Sequence, residues 1–367
     1  DLTLNEPLKI VFQWEVRGES EYAIDDFENG ARIAVDEINA AGGVGGHKIE
    51  TVRIASSPVD PQAAVTAFLK GVDEDPDIII GLGSPIIAAI GSTIDRSGIP
   101  TLAVVEDASP IFGTETGSEW LFNMKTPPRP AAEYATKYAI EELKASSVAV
   151  LGTNESYGNQ GAENIKATLK DAGLSPKVER QFAPDASDLT EQVLALGGSD
   201  VVVSWAYPNP VAVLLNQMQQ NGVTIPVVGG TPATIAVNGG LVEGKAIDNL
   251  YTVDYCNPHD SSRPQLAKFT EEYRKRYNAT PNPEAVLTYD AVYVAVEAVK
   301  AAGSTDPGAI RDALRTLKYT DGACDSEYRA DGAQILHHQL VIADYSADGT
   351  AKTVKTYTVP DIDKGGK

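Results

Sequence analysis

The chain has 367 residues, 43% of them hydrophobic, and its 51 acidic against 30 basic side chains give a net charge of −21. That length exceeds one comfortable core and implies two domains of roughly 150 residues or more each. The acidic balance excludes nucleic acid and anionic membrane as direct partners, because holding phosphates takes clustered cations; the best basic pair, Lys275-Arg276, lies amid Glu271, Glu272 and Arg274.

The segment LKIVFQW over 8–14 predicts a strand. Phe27, Ala31, Ala34, Val35, Ile38 and Ala41 then recur at three- and four-residue steps, which is one buried helix face. Gly42-Gly43 supplies a left-handed C-cap, and Gly45-Gly46 turns the chain into a strand over 48–54. Strand, helix, strand is a right-handed crossover unit, so the chain opens by building a parallel sheet. The alternation continues with a helix over 61–72, strands over 77–82 and 100–105 flanking a helix over 85–96, and a strand near 120–123. The run Thr126-Pro127-Pro128-Arg129-Pro130 reads as a crossing between domains.

The pattern restarts with a helix to residue 143, strands over 147–151, 177–182, 200–205 and 225–228, and helices over 161–172, 189–196 and 210–221. Helices over 264–277, 284–302 and 307–317 follow, and then a hairpin, 338–345 with 352–358, around Asp348-Gly349. The last seven residues read as a frayed tail. Strands alternating with helices throughout give the α/β class, with two doubly wound parallel-sheet domains.

Ligands of open parallel sheets bind beyond the carboxyl ends of the strands, where loops enter helices. Ser84-Pro85, Ser109-Pro110, Tyr207-Pro208 and Thr231-Pro232 occupy such junctions. Proline suits the first helical position and Ser or Thr the N-cap, so these ends read as ordinary caps that are also natural anion cradles. Ser84, between IIIGLG and PIIAAIGSTI, is the best placed. Tyr22, Tyr157, Trp205 and Tyr207 fall at the same loop positions and favour a pocket that stacks on an apolar group.

Enzyme signals are poor. Neither a nucleophile elbow nor a phosphate-binding loop occurs, and Gly81-Leu82-Gly83 lacks the third glycine of a dinucleotide loop. His337 and His338 would point to opposite faces of a strand and cannot chelate together, His47 sits in a glycine turn exposed to water, and no histidine has zinc spacing to a cysteine. No cofactor or metal is expected. Glu106 and Asp107 follow a strand, and because adjacent side chains diverge, cation binding by one of them is favoured over acid–base work. Cys256 and Cys324 are either a disulfide, as in an exported protein, or two buried thiols. The longest apolar run, 78–91, is too short to span a bilayer, and the polar start at Asp1 reads as a processed N-terminus.

NGARIAVDEINAAGGVGGHKIE over 29–50, Asp60-Pro61-Gln62-Ala63-Ala64, GLGSP over 81–85, SYGNQG over 156–161 and WAYPNP over 205–210 together resemble the type I periplasmic solute-binding proteins of the branched-chain amino acid receptor class. The resemblance spans residues 8 to about 357 and implies two lobes joined by three crossovers that close on a small ligand. It places residues 1–124 with 253–333 in the first lobe and 125–252 with 334–367 in the second, with the ligand cleft between them. Ser84 resembles the serine that holds the ligand carboxylate, and Tyr22, Tyr157 and Tyr207 resemble the ligand-lining tyrosines. Val105, Glu106 and Asp107 fall where the family places a backbone carbonyl and a threonine near the ligand amine.

Two positions depart from the family. Asp107 replaces that threonine, and Thr231 replaces the glutamate that neutralises the ligand ammonium. The carboxylate has moved to Asp107, or the ligand is not an ordinary α-amino acid; the first is favoured. Glu106 and Arg17 are spare charges, Arg17 reading as a solvated rim residue. The resemblance implies a non-catalytic, monomeric receptor feeding the permease subunits of an ABC importer, periplasmic or extracellular, with a lipid anchor as one option. The expected ligand is an amino acid or amino-acid-like compound. The alternatives are a ligand-sensing receptor of the same fold, or an importer receptor for an aromatic acid, an amide or urea, or a polyamine.

Overall fold

The computed structural model describes residues 2–15, 21–56, 61–81, 84–104, 118–125, 128–330 and 336–359, with the side chains at 15, 21–24, 56, 61, 84–89 and 128–129 outside that description. In chain order the elements begin β1 (Lys9–Glu15), α1 (Glu21–Ala40), β2 (Glu50–Ser56), α2 (Pro61–Asp73), β3 (Ile78–Gly81), α3 (Ser84–Ser97), β4 (Thr101–Ala103) and β5 (Leu121–Asn123). There follow α4 (Pro128–Glu141), β6 (Val148–Thr153), α5 (Ser156–Asp171), β7 (Val178–Phe182), α6 (Thr190–Leu194), β8 (Val201–Trp205), α7 (Pro208–Gln220), β9 (Val227–Gly229), α8 (Thr231–Asn238) and β10 (Leu250–Asp254). The rest are α9 (Pro264–Tyr277), α10 (Pro283–Ala302), α11 (Pro307–Arg315), β11 (Lys318–Tyr319), β12 (Tyr328–Arg329), β13 (Gln339–Tyr345) and β14 (Ala351–Thr358). The chain gathers into two compact units: Asp1–Pro127 with Ser261–His338 and Val359–Lys367, and Pro128–Asp260 with Gln339–Thr358.

In the first unit the strands run in the order β2-β1-β3-β4-β5, each pairing parallel. This order puts a topological switch point between β1 and β3. Gly81 closes β3 there at φ +141°, and a Cβ on it would lie 2.0 Å from the Gln13 carbonyl oxygen, so only glycine fits. Around the sheet, Val11, Phe68, Ile79, Ile90, Ile94 and Leu121 form an apolar core. The double-glycine stop on α1 is present: the Gly43 N–H donates to the Ile38 carbonyl at 2.9 Å, with Gly42 and Gly43 both at positive φ.

The buried carboxylates of this unit include Asp26 and Asp290. Asp26 accepts from the Tyr273 hydroxyl on one oxygen and the Asn282 amide on the other. Asp290 accepts the Ala323 N–H on Oδ1, and the Cys324 N–H and Tyr328 hydroxyl on Oδ2, at 2.6 to 2.7 Å. Burial pushes both acids up to about 6, against the pull of these donors. Both cysteines are disulfide-bonded, leaving none free.

The second unit repeats the parallel order as β7-β6-β8-β9-β10, then adds β13 and β14 antiparallel beyond β10. The predicted hairpin thus extends a sheet, which is mixed rather than wholly parallel. Periodicity marks no strand at β10, whose five residues are almost all buried and so lack alternation. Leu151, Val202, Leu214, Met218, Val227 and Leu250 belong to the core of this unit.

Two histidine expectations are corrected. His337 and His338 precede β13 instead of alternating along it, and both are buried. His47 is half-buried, its Nε2 lying 3.0 Å from the Leu4 carbonyl, so it ties down the N-terminal segment.

Candidate functional site: a hydroxyl- and aromatic-lined sheet edge

The switch point of the second unit lies between β6 and β8, and the helices that follow them carry the site. Helix α5 begins at Ser156, five residues before the predicted 161. Glu155 makes the difference. Its carboxylate accepts the Tyr157 N–H at 2.7 Å, the Gly158 N–H at 2.8 Å and the Thr153 hydroxyl at 2.6 Å. Glutamate is not among the favoured N-caps, so the sequence hides this start. Tyr157 therefore stands in the first helical turn and not in a loop. Gly158 allows the tight entry, since a Cβ there would meet the Thr153 carbonyl oxygen at 2.0 Å.

Three aromatic rings gather at this edge. Tyr157 stacks on Trp205 at 6.0 Å and 29°, and on Tyr207 at 5.6 Å and 18°. Trp205, the last residue of β8, is 2% exposed and backs Tyr157, while Tyr157 and Tyr207 keep partly exposed surfaces. Gly161 makes room for the indole: a Cβ on it would fall 2.1 Å from the Trp205 Cδ1. Gly230 closes the far side, its notional Cβ 3.1 Å from the Tyr157 hydroxyl and 3.3 Å from the Trp205 ring. Burial raises the Tyr157 pKa well above the usual phenol value, with Tyr255, Tyr207, Asp254 and Glu155 adding to the rise. The hydroxyl is thus a permanent proton carrier at neutral pH.

Neither described Pro-junction of this unit is capped as expected. Tyr207 is the N-cap of α7 and Gly230 that of α8, and neither makes a side-chain cap. Thr231 is the first helical residue of α8, 9% exposed, and its hydroxyl turns instead to Asp254. Asp254, the last residue of β10 and 2% exposed, accepts on Oδ2 from the Thr234 hydroxyl at 2.6 Å and the Thr252 hydroxyl at 2.7 Å. Tyr345 donates in turn to the Thr234 Oγ1 at 3.2 Å. Burial raises the Asp254 pKa, while the hydroxyls of Thr234, Thr252 and Thr231 pull it down. Its Oδ1 has no hydrogen-bond partner among the described residues.

The structure brings Tyr157, Trp205, Tyr207 and Thr231 to one edge of the second unit. In the first unit, Ser84 heads α3 and Tyr22 is the second residue of α1, and the side chains of both lie outside the described residues. Val105, Glu106, Asp107, Arg17 and Ser109-Pro110 also lie outside them. Sequence reasoning misses Glu155 and Asp254. Glu155 could have been found as the only acid between β6 and the Tyr157-Gly158 pair, whereas Asp254 carries no local signal.

The chain belongs to the periplasmic binding protein family: the family model matches residues 7–350. Among curated relatives, Leu/Ile/Val-binding protein homolog 7 of Brucella abortus is 27% identical over 315 residues, covering 81% of this chain and 78% of the relative. Among solved structures, the branched-chain amino acid transporter substrate-binding protein LivJ from Streptococcus pneumoniae, in complex with isoleucine, superposes with a TM-score of 0.81 at 23% identity, covering 96% of this chain and 99% of that one. A solute-binding protein of an ABC transporter from Rhodopseudomonas palustris, in complex with 3,4-dihydroxybenzoic acid, gives 0.82 at 15% identity, covering 96% and 98%. Identities this low establish a shared fold. The family is one of extracytoplasmic solute-binding receptors of ABC transporters. Among the described residues, no helix is long and apolar enough to cross a membrane.

Proposed function

We propose that this chain is the receptor of an ABC importer for an amino acid or amino-acid-like compound, delivering it to the permease subunits without chemical change. The observation that carries the reading is the aromatic group of Tyr157, Trp205 and Tyr207 beside Thr231, at the carboxyl ends of β6, β8 and β9, where open parallel sheets take ligands. Stacked rings supply an apolar wall, and the Tyr157 and Thr231 hydroxyls supply the few polar groups that orient a small ligand. In this reading Ser84 keeps the carboxylate-holding role, and Tyr22, Val105, Glu106 and Asp107 complete the ligand contacts.

Aromatic acids form the second class to test, because flat rings stack on tyrosines as readily as alkyl chains do and a neighbour of this fold is in complex with 3,4-dihydroxybenzoic acid. The experiment is a thermal-shift and calorimetric screen of amino acids, hydroxybenzoates, amides and polyamines. An amino acid at 100 times its Kd should stabilise the protein by about 2.7 kcal/mol. In the Tyr157→Ala variant its affinity should fall about 30-fold, the effect of losing a buried aromatic anchor. Equal responses of the variant and the wild type, or stabilisation by hydroxybenzoates alone, would refute the amino acid reading.

A further inference from the structure

The second-unit edge offers fewer of the groups that attract anions than its three helix starts would normally supply. Free N–H groups at a helix start normally make an anion cradle. Here Glu155 occupies those of Tyr157 and Gly158 at the head of α5. Pro208 and Pro210 remove donors at the head of α7, and Pro232 removes one at the head of α8. Burial first, and with it the charges of Asp254 and Glu155, hold the Tyr157 phenol protonated. Beside the Tyr157 hydroxyl, which keeps its proton, the edge is thus rich in acceptors and aromatic faces.

Asp254 is the unusual member. Threonine hydroxyls reach one of its oxygens, and the other is buried with no hydrogen-bond partner among the described residues. A buried ionised carboxylate is stable only when its charge is met. No Lys, Arg or His is among the groups that shift it; only burial and three threonines are. Because a carboxylate can only accept, Thr231 turns its proton inward, and its oxygen lone pairs are left for an incoming donor. Thr231 adjoins Gly230, whose notional Cβ lies 3.1 Å from the Tyr157 hydroxyl, so this acceptor and the aromatic stack belong to one place.

We infer that Asp254 is the specificity-determining charge of this edge, and that with Thr231 and the faces of Tyr157 and Tyr207 it selects ligands carrying a cationic nitrogen. The ring faces favour an ammonium over a carboxylate for the same electrostatic reason. The inference rests on the receptor reading above and narrows it. Thr231, standing where the family pattern has a counter-charge, is not itself the replacement: the charge comes from β10, beneath it. Asp107 then has no need to serve as the ammonium partner.

The test compares matched pairs that differ only in the amine: L-leucine with 4-methylpentanoate, and L-phenylalanine with 3-phenylpropanoate, by calorimetry on the wild type. At least one amine-bearing member should bind 100-fold or more tighter than its partner. In Asp254→Asn, checked for native circular dichroism, that ratio should fall about 30-fold or more, while Asp185→Asn, at an exposed acid of the same unit, should leave it within a few-fold. The wild-type comparison needs no variant, so a poorly folding Asp254→Asn does not protect the inference. Deaminated acids binding as well as the amines would overturn it and leave the receptor reading standing. A ratio lost in Asp107→Asn but kept in Asp254→Asn would move the charge to Asp107 and overturn it too. No binding by any of the four compounds would sink both readings.

Discussion

Asp26, Asp290 and Asp254 are all buried, and the two units use them differently. Asp26 and Asp290 of the first unit have donors on both carboxylate oxygens: tyrosine and asparagine on one, two backbone N–H groups and a tyrosine on the other. Such residues pin distant segments together. Among the described residues Asp254 of the second unit has donors on one oxygen only, and all are threonine hydroxyls. A carboxylate whose bonds are all filled from within serves the fold, and one left half-filled beside an aromatic stack is free to serve a ligand.

The sharpest way to break this comparison is to neutralise one aspartate of each kind. Asp290→Asn sets an amide NH2 against a backbone N–H or the Tyr328 hydroxyl, leaving a buried donor unpaired, and should cost about 3 kcal/mol in urea unfolding. Asp254→Asn keeps an acceptor for the Thr234 and Thr252 hydroxyls, sets its NH2 against no donor among the described residues, and should cost less, about 1 kcal/mol. Similar losses would erase the distinction between pinning and ligand-facing acids.

The pH dependence of stability sharpens the same point. Asp26 and Asp290 are raised from about 3.8 to about 6, so the folded state holds their protons more tightly than the unfolded state. Their stabilising contribution is complete below about 3.8 and is lost as pH rises through about 6, by roughly 3 kcal/mol for each. Comparing urea melts at pH 4 and pH 8 in the wild type and in Asp26→Asn isolates one share: the variant should lose about 3 kcal/mol less across that interval.

The smallest expected effect lies at Glu155. Replacing it by Ala frees two backbone donors and the Thr153 hydroxyl, and should cost about 1 kcal/mol of stability. Hydrogen exchange should quicken over the first turn of α5 and not over β1 to β5. Because the freed N–H groups would then attract anions, carboxylate-only ligands should gain affinity in this variant, whereas a purely structural cap would give no such gain.

Most of the framework is legible in the chain. The apolar spacing from Phe27 to Ala41 gives α1 its buried face, Gly42-Gly43 ends it, and α9 runs over the predicted 264–277. These are local matters: periodicity and capping are settled within a turn or two of each residue. Three aromatic positions and Thr231 are legible too, because they fall where predicted strands end. The start of α5 is not, since it depends on a glutamate cap and on Gly158 fitting against Thr153.

The sequence by itself determined an α/β chain of two similar halves, with the residues that mark a solute receptor set at strand ends. It could not reveal that Thr231 serves no cap, that Trp205 backs Tyr157, or that a charge waits below them. Asp254 meets Thr234, Thr252 and Tyr345 only because β10 lies between β9 and β13 in the folded sheet. Burial, unpaired oxygens and the direction of a hydroxyl proton are properties of a packed interior, assembled from residues up to 111 positions apart, and no local pattern encodes them.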